Sequence, residues 1–324
     1  MSRAQLLIVL GLSGMGLSRA AQRVITTAGL QDADPFTLTA LSLVLGAAAM
    51  LAWLTMRRQI SFDRKLWLFA LPLGTVNIAL PAIGFTLGQQ HLSTGAAGLF
   101  GAAVPVAVAA MAAIALGERL TWRGWAGLAL AAAAVSSLAL GAEGGSTGLI
   151  GVAWSVMAVG SAAWAYVMIR RSNCQFKVSQ LLFTQVCWST LLLVPAAFLL
   201  GHPASTPVSL ELTLLVAGLA GTCILLPQAL MTWMLGLTDA SKVAVANYIV
   251  PIATAGLAWV LLSESPSLHL LLAGAVAVTG AWIVNRDRFV SVAPSTEPEE
   301  SRYRPLVPSL DLASNPSKVP AGRS

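Results

Sequence analysis

Arg19 and Arg23 sit four residues apart within an otherwise apolar run, so a helix would place both on one face. A guanidinium held away from bulk water suits a carboxylate or another anion, which it grips through paired hydrogen bonds. The alternative is that both side chains reach back to a headgroup layer. Asn77 lies four residues before Pro81, and Asn247 and Tyr248 lie four and three before Pro251. Proline lacks an N–H and frees a backbone carbonyl one turn earlier. Such places either line a cavity or glue neighbouring helices by a hydrogen bond worth about 0.6 kcal/mol. Trp164, Tyr166, Gln185 and Trp188 carry an apolar body or a polar tip that suits an organic ligand, although aromatic residues also form interfacial belts.

Other chemistries lack their residues. H-E-x-x-H does not occur, the match to G-x-S-x-G at Gly144–Gly148 lies in a connection between apolar runs and not at a strand-to-helix turn, and His91, His202 and His269 all lie at the edges of apolar runs. No Gly-rich stretch ends in Gly-Lys-Ser/Thr, so nothing here cradles a nucleotide phosphate. Cys174, Cys187 and Cys223 have no metal-ligand spacing, and no cofactor or metal is expected. Enzymatic activity is not expected. Glu118 and Glu264 stand beside turns at helix ends, where a carboxylate caps the following helix and complements its dipole.

The elements that position these residues are written in the composition. Of 324 residues, 56% are hydrophobic and 10% charged, against about 25% charged in a typical soluble domain. Lipid is the solvent that such a chain fits. Ten apolar runs reach or approach the roughly 20 residues a bilayer demands. They fall near 5–25, 36–56, 66–87, 93–116, 123–141, 147–169, 179–200, 209–233, 241–262 and 268–285. The net charge of +6 comes from short basic clusters between the runs, not from a basic polar face, so nucleic acid is not an expected partner. With the N-terminus in the cytoplasm, 17 of the 19 Lys and Arg residues fall on the cytoplasmic side, leaving only Arg19 and Arg23 elsewhere. Residues 286–324 are rich in Pro and Glu without apolar periodicity, and a disordered cytoplasmic tail is expected there.

Sliding the chain by 146 positions lays Pro81 on Pro227, Pro105 on Pro251 and Glu118 on Glu264. Residues 1–145 and 146–285 are thus expected to be two five-helix repeats. Five is odd, so the second copy enters the membrane inverted. Inverted repeats mark secondary transporters, with the solute site near the midplane between the copies. The four prolines are candidate hinges, Pro105 and Pro251 foremost.

The segment from Ala96, AAGLFGAAVPVAVAAMAAIALGERLTWRGWAG, resembles the hallmark of EamA-type transporters of the drug/metabolite transporter superfamily. The second half echoes it from Ala244, keeping Glu264 but replacing its neighbours with Ser263, Ser265 and Pro266. An Arg common early in the family's second helix is absent, with Ser42 in that neighbourhood. The resemblance implies an all-α integral membrane fold of ten transmembrane helices in two inverted repeats, with both termini cytoplasmic in an inner membrane. It also implies alternating access and export of a small organic metabolite, such as an amino acid. The partners are then the solute and the bilayer. Proton or counter-substrate coupling and a homodimer stay open, and the competing readings are a non-transporting scaffold or receptor and an intramembrane enzyme.

Overall fold

A computed structural model describes residues 3–60, 62–116, 122–140, 146–171, 176–207, 209–235, 249–265 and 267–291. Its helical segments group into rods. These are α1 (Arg3–Gly29), α2 (Pro35–Met56), α3 (Arg64–Gln89), α4 (Thr94–Leu116), α5 (Trp122–Leu140), α6 (Ser146–Arg171) and α7 (Val178–Leu200). α8 comprises Leu210–Leu219, Ala220–Leu225 and Leu226–Leu235, and is followed by α9 (Ile249–Leu262) and α10 (Leu268–Ser291). Six rods are long and apolar enough to cross a membrane (α2, α3, α4, α6, α7 and α8), and α9 and α10 contain shorter apolar stretches. α10 continues through Ser291, past the boundary expected at 285, because residues 286–291 extend its hydrogen-bonding pattern.

Starts are set by capping. Asp34 accepts from the N–H groups of Phe36 and Thr37 at 3.0 Å, ahead of Pro35 in the first turn of α2. Asp63 accepts from Lys65 N at 2.9 Å, Ser209 from Leu212 N at 3.0 Å and Ser267 from Leu270 N at 3.1 Å. The helices bury small and branched residues against one another and leave large apolar side chains outside, among them Leu191, Leu199, Ile252 and Val260. That reversal of a soluble surface is what a lipid solvent permits.

The 146-residue offset reappears in the backbone. α3 is interrupted by a π-helical stretch at Thr75–Ala79, and α8 by one at Ala220–Leu225. Adding 146 to 75 and 79 gives 221 and 225, so the two interruptions coincide in the repeat. Each ends just before its proline, Pro81 or Pro227, whose missing N–H weakens the regular ladder there. Pro105 lies inside an α-helical stretch and Pro251 near the start of one. Among the described residues, π-helical backbone precedes Pro81 and Pro227.

The two halves exchange contacts at these interruptions. Ser18 of α1 donates to the carbonyl of Thr222 in α8. Ser161 of α6 donates to the carbonyl of Val76 in α3 at 2.7 Å. Since 76 plus 146 is 222, the first helix of each half satisfies the same backbone carbonyl in the third helix of the other.

Close approach across the halves depends on glycine. A Cβ on Gly88 would stand 2.5 Å from Ser155 Oγ and 3.1 Å from Gly151 O, and one on Gly84 would stand 2.9 Å from a methyl carbon of Met157. α3 and α6 meet nearly backbone to backbone there, as small residues allow in membrane bundles.

Candidate solute site

Four helices converge on the middle of the bundle. α1 brings Arg19, Gln22 and Arg23, and α3 brings Asn77, Ile78, Pro81, Ala82 and Phe85. α6 adds Ala162 and Tyr166, and α8 adds Ile224 and Gln228. Together they enclose about 50 Å³, room for a few waters. In this conformation the site is closed around its centre.

An amide triad forms one wall. Asn77 Nδ2 donates to Gln185 Oε1 at 2.7 Å and to Gln228 Oε1 at 3.1 Å. Gln228 Nε2 donates back to the Asn77 carbonyl at 3.3 Å. That carbonyl lies in the π-helical stretch ahead of Pro81. The proline, the π interruption and the triad are one local arrangement. Gln185 is held from behind, because Gly74 lets α3 approach so closely that a Cβ there would stand 2.7 Å from the Gln185 carbonyl.

The opposite wall is cationic. Arg23 is 3% exposed, with its guanidinium carbon 3.6 Å from the centre of the Phe85 ring, a stacked cation–π geometry. Arg19 is half-buried, and its Nε has no hydrogen-bond partner. The Tyr166 hydroxyl is also buried without a partner. No carboxylate is among the described lining residues. A cavity with two guanidinium groups, a free phenol and three amides offers donors to an anion or to a polar organic group.

Beyond Arg23, a polar relay closes one end of the bundle. Gln89 Nε2 donates to the Arg23 carbonyl at 2.8 Å and to Thr27 Oγ1 at 2.9 Å. The hydroxyls of Thr27 and Thr94 are 2.8 Å apart. Glu264 then accepts from Thr94 Oγ1 at 2.9 Å and from Thr94 N at 3.2 Å. Glu264 had been expected to cap the helix that follows it. It caps α4 of the other half instead, while Ser267 caps α10.

At the same end, Asp34 Oδ2 accepts from His202 N at 2.9 Å, tying the α1–α2 connection to the α7–α8 connection. Burial pushes the Asp34 carboxyl up, but the nearby Thr37 hydroxyl and hydrogen bonds from the N–H groups of His202, Thr37 and Phe36 hold it below the usual carboxylate value.

The sequence expectations divide cleanly. Arg19, Asn77, Tyr166 and Pro81 line the cavity, and Gln185 bonds Asn77 from the second rank. Pro227 is buried beside Gln228. Trp164 is 39% exposed and stands outside the cavity, because it lies two residues from Tyr166 and so on another face of α6. Trp188 gives its indole N–H to the Trp67 carbonyl at 2.9 Å, a structural bond. Glu118, Asn247 and Tyr248 lie outside the described residues. Arg23 is the more deeply buried of the two arginines because α1 continues to Gly29 and does not end near residue 20. Gln228 and Phe85 were missed. The signal for Gln228 was its place beside Pro227, in register with Pro81.

No group of three or more His, Cys, Asp or Glu suited to a metal ion occurs among the described residues.

Apolar rods across most of the chain define a multi-pass helical membrane protein. The model of the EamA-like transporter family matches twice, over residues 6–140 and 149–286. The chain belongs to the EamA-like transporter family. No curated protein matches it. The fold is also similar to that of a solved crystal structure, 20% identical, with a TM-score of 0.64, covering 89% of this chain and 99% of that one.

Proposed function

We propose that the chain is a secondary transporter that carries a small organic metabolite bearing a carboxylate, an amino acid or a related compound, and exports it. The observation that supports this best is the cavity itself. Its buried Tyr166 hydroxyl and Arg19 Nε lack partners, although buried polar groups in folded proteins are nearly always bonded. A carboxylate supplies what both lack.

The proposed architecture is ten transmembrane helices in two inverted repeats, divided near residue 145, with both termini in the cytoplasm of a bacterial inner membrane. The charge distribution supports the orientation, since 17 of 19 Lys and Arg residues then lie inside. Access alternates as the repeats rock about α3 and α8. The π interruptions at Thr75–Ala79 and Ala220–Leu225 are the places where those helices bend. The relay from Arg23 to Glu264 and the Asp34–His202 bond close the external side here.

The direct test is ligand-induced thermal stabilisation of the purified protein against a panel of amino acids, their amides and their decarboxylated amines. Stabilisation by members with a free carboxylate, lost in Arg19→Ala and reduced in Tyr166→Phe, supports the reading. Equal stabilisation by the amines would sink the carboxylate assignment.

A further inference from the structure

A second, larger cavity of about 740 Å³ opens between α2, α7 and α8, in the range of roughly 300–1,000 Å³ common for ligand sites. Its walls are apolar, built by Met50 and Trp53 of α2, Leu182 of α7, and Leu225 and Ala229 of α8, with Phe176 at the mouth. Lys177 sits at the rim. The hydrogen bond from Gln180 Nε2 to the Gln59 carbonyl, 3.1 Å, pins the α2–α3 connection beside the start of α7. That connection carries Arg57 and Arg58, and the Arg57 guanidinium carbon lies 5.9 Å from the centre of the Trp53 ring.

The repeat gives the lining residues counterparts. Subtracting 146 from 225 and 229 gives Ala79 and Ile83, and adding it to 50 gives Ala196. Subtracting it from 182 gives Phe36. Those four counterparts pack into the same hydrophobic cluster as Met50, Leu182, Leu225 and Ala229, and none of the four lines the cavity. Leu225 and Ala229 are only partly buried. The cavity thus opens beside a packed cluster, at the end of the bundle where Lys177, Arg57 and Arg58 gather.

We propose that this cavity is a binding site for one anionic phospholipid, with an acyl chain between α2 and α8 and the phosphate held by Lys177 and Arg57. Apolar walls exclude a fully polar occupant, and the cationic rim selects an anionic headgroup over a zwitterionic one. The acyl chain covers the partly buried Leu225 and Ala229. The site is separate from the central cavity and does not rest on the transport reading.

The test is native mass spectrometry of the full chain taken from nanodiscs of equal phosphatidylglycerol and phosphatidylcholine. One phosphatidylglycerol should survive mild activation on the wild type. Lys177→Gln and Arg57→Gln, both exposed substitutions that leave the fold intact, should each lower its retention by about fivefold. Ala229→Trp, which fills the cavity, should abolish it while thermal unfolding confirms a folded protein. Equal retention of the two lipids would overturn the proposal. So would unchanged retention in the two rim variants, or displacement of the lipid by the carboxylates that bind the central cavity, which would make the space a solute portal.

Discussion

Tyr166 separates stability from binding more sharply than any other residue of the site. Its hydroxyl bonds no protein group, so no hydrogen bond within the fold depends on it. Tyr166→Phe should leave the unfolding temperature nearly unchanged. The same substitution should weaken solute binding several-fold, the loss of one hydrogen bond of about 1 kcal/mol. Thermal unfolding and ligand titration of one preparation check both. Asn77 behaves in the opposite way. Asn77→Leu strips partners from Gln185 and Gln228 and should destabilise by about 1–3 kcal/mol even without solute. At this scale the sequence said a good deal. Arg19, Asn77, Tyr166 and Gln185 were legible because each is polar within an apolar run. Which of Arg19 and Arg23 lies deeper was not legible, because no glycine or proline marks where α1 stops near them. Phe85 was invisible, since one aromatic in an apolar helix has no pattern to distinguish it.

The packing of α3 on α6 rests on residues that contribute almost no side chain. Gly88→Val would drive a Cβ to 2.5 Å from Ser155 Oγ and 3.1 Å from the Gly151 carbonyl, against backbone that cannot yield. The expected cost is about 1–3 kcal/mol from overpacking, read as a lower midpoint in a thermal or denaturant series. Gly221→Ala meets nothing within 4 Å and should be tolerated. The element scale also bears on the hinges. Among the described residues, π stretches precede Pro81 and Pro227, and the position of a proline in the sequence does not reveal that. The exchanged serine bonds were hidden for a related reason. Ser18 and Ser161 are not at equivalent positions, since 18 plus 146 is 164, yet they reach equivalent carbonyls.

Across the whole molecule, the halves are joined at one end by polar contacts whose strength depends on charge. Asp34 joins the α1–α2 connection to His202, and its carboxyl is held below the usual value in the folded state. A depressed folded pKa contributes stability above the unfolded pKa, and that contribution is lost as pH falls through the folded value. Wild-type protein should therefore lose stability on acidification below the ordinary carboxylate range. Asp34→Asn should be less stable at neutral pH, by about 1 kcal/mol for the lost charge-assisted cap, and should show a shallower acid dependence. Unfolding midpoints across a pH series for both proteins measure the difference. The twofold organisation was legible at this scale, from the 146-residue offset. The Glu264 bond to α4 was not, because a helix-end carboxylate offers its cap to any helix start that the fold brings near.

The central claim is that a carboxylate-bearing solute moves through the cavity between the halves. Counterflow in proteoliposomes tests it most directly. Vesicles loaded with a broad amino-acid mixture are offered single labelled amino acids, with wild type, Arg19→Ala, Tyr166→Phe and the exposed control Leu191→Ala in parallel. Uptake by wild type and Leu191→Ala, abolished in Arg19→Ala and reduced several-fold in Tyr166→Phe, is the predicted result. Uptake that persists undiminished in Arg19→Ala and Tyr166→Phe would contradict it and move the path of the solute away from this cavity.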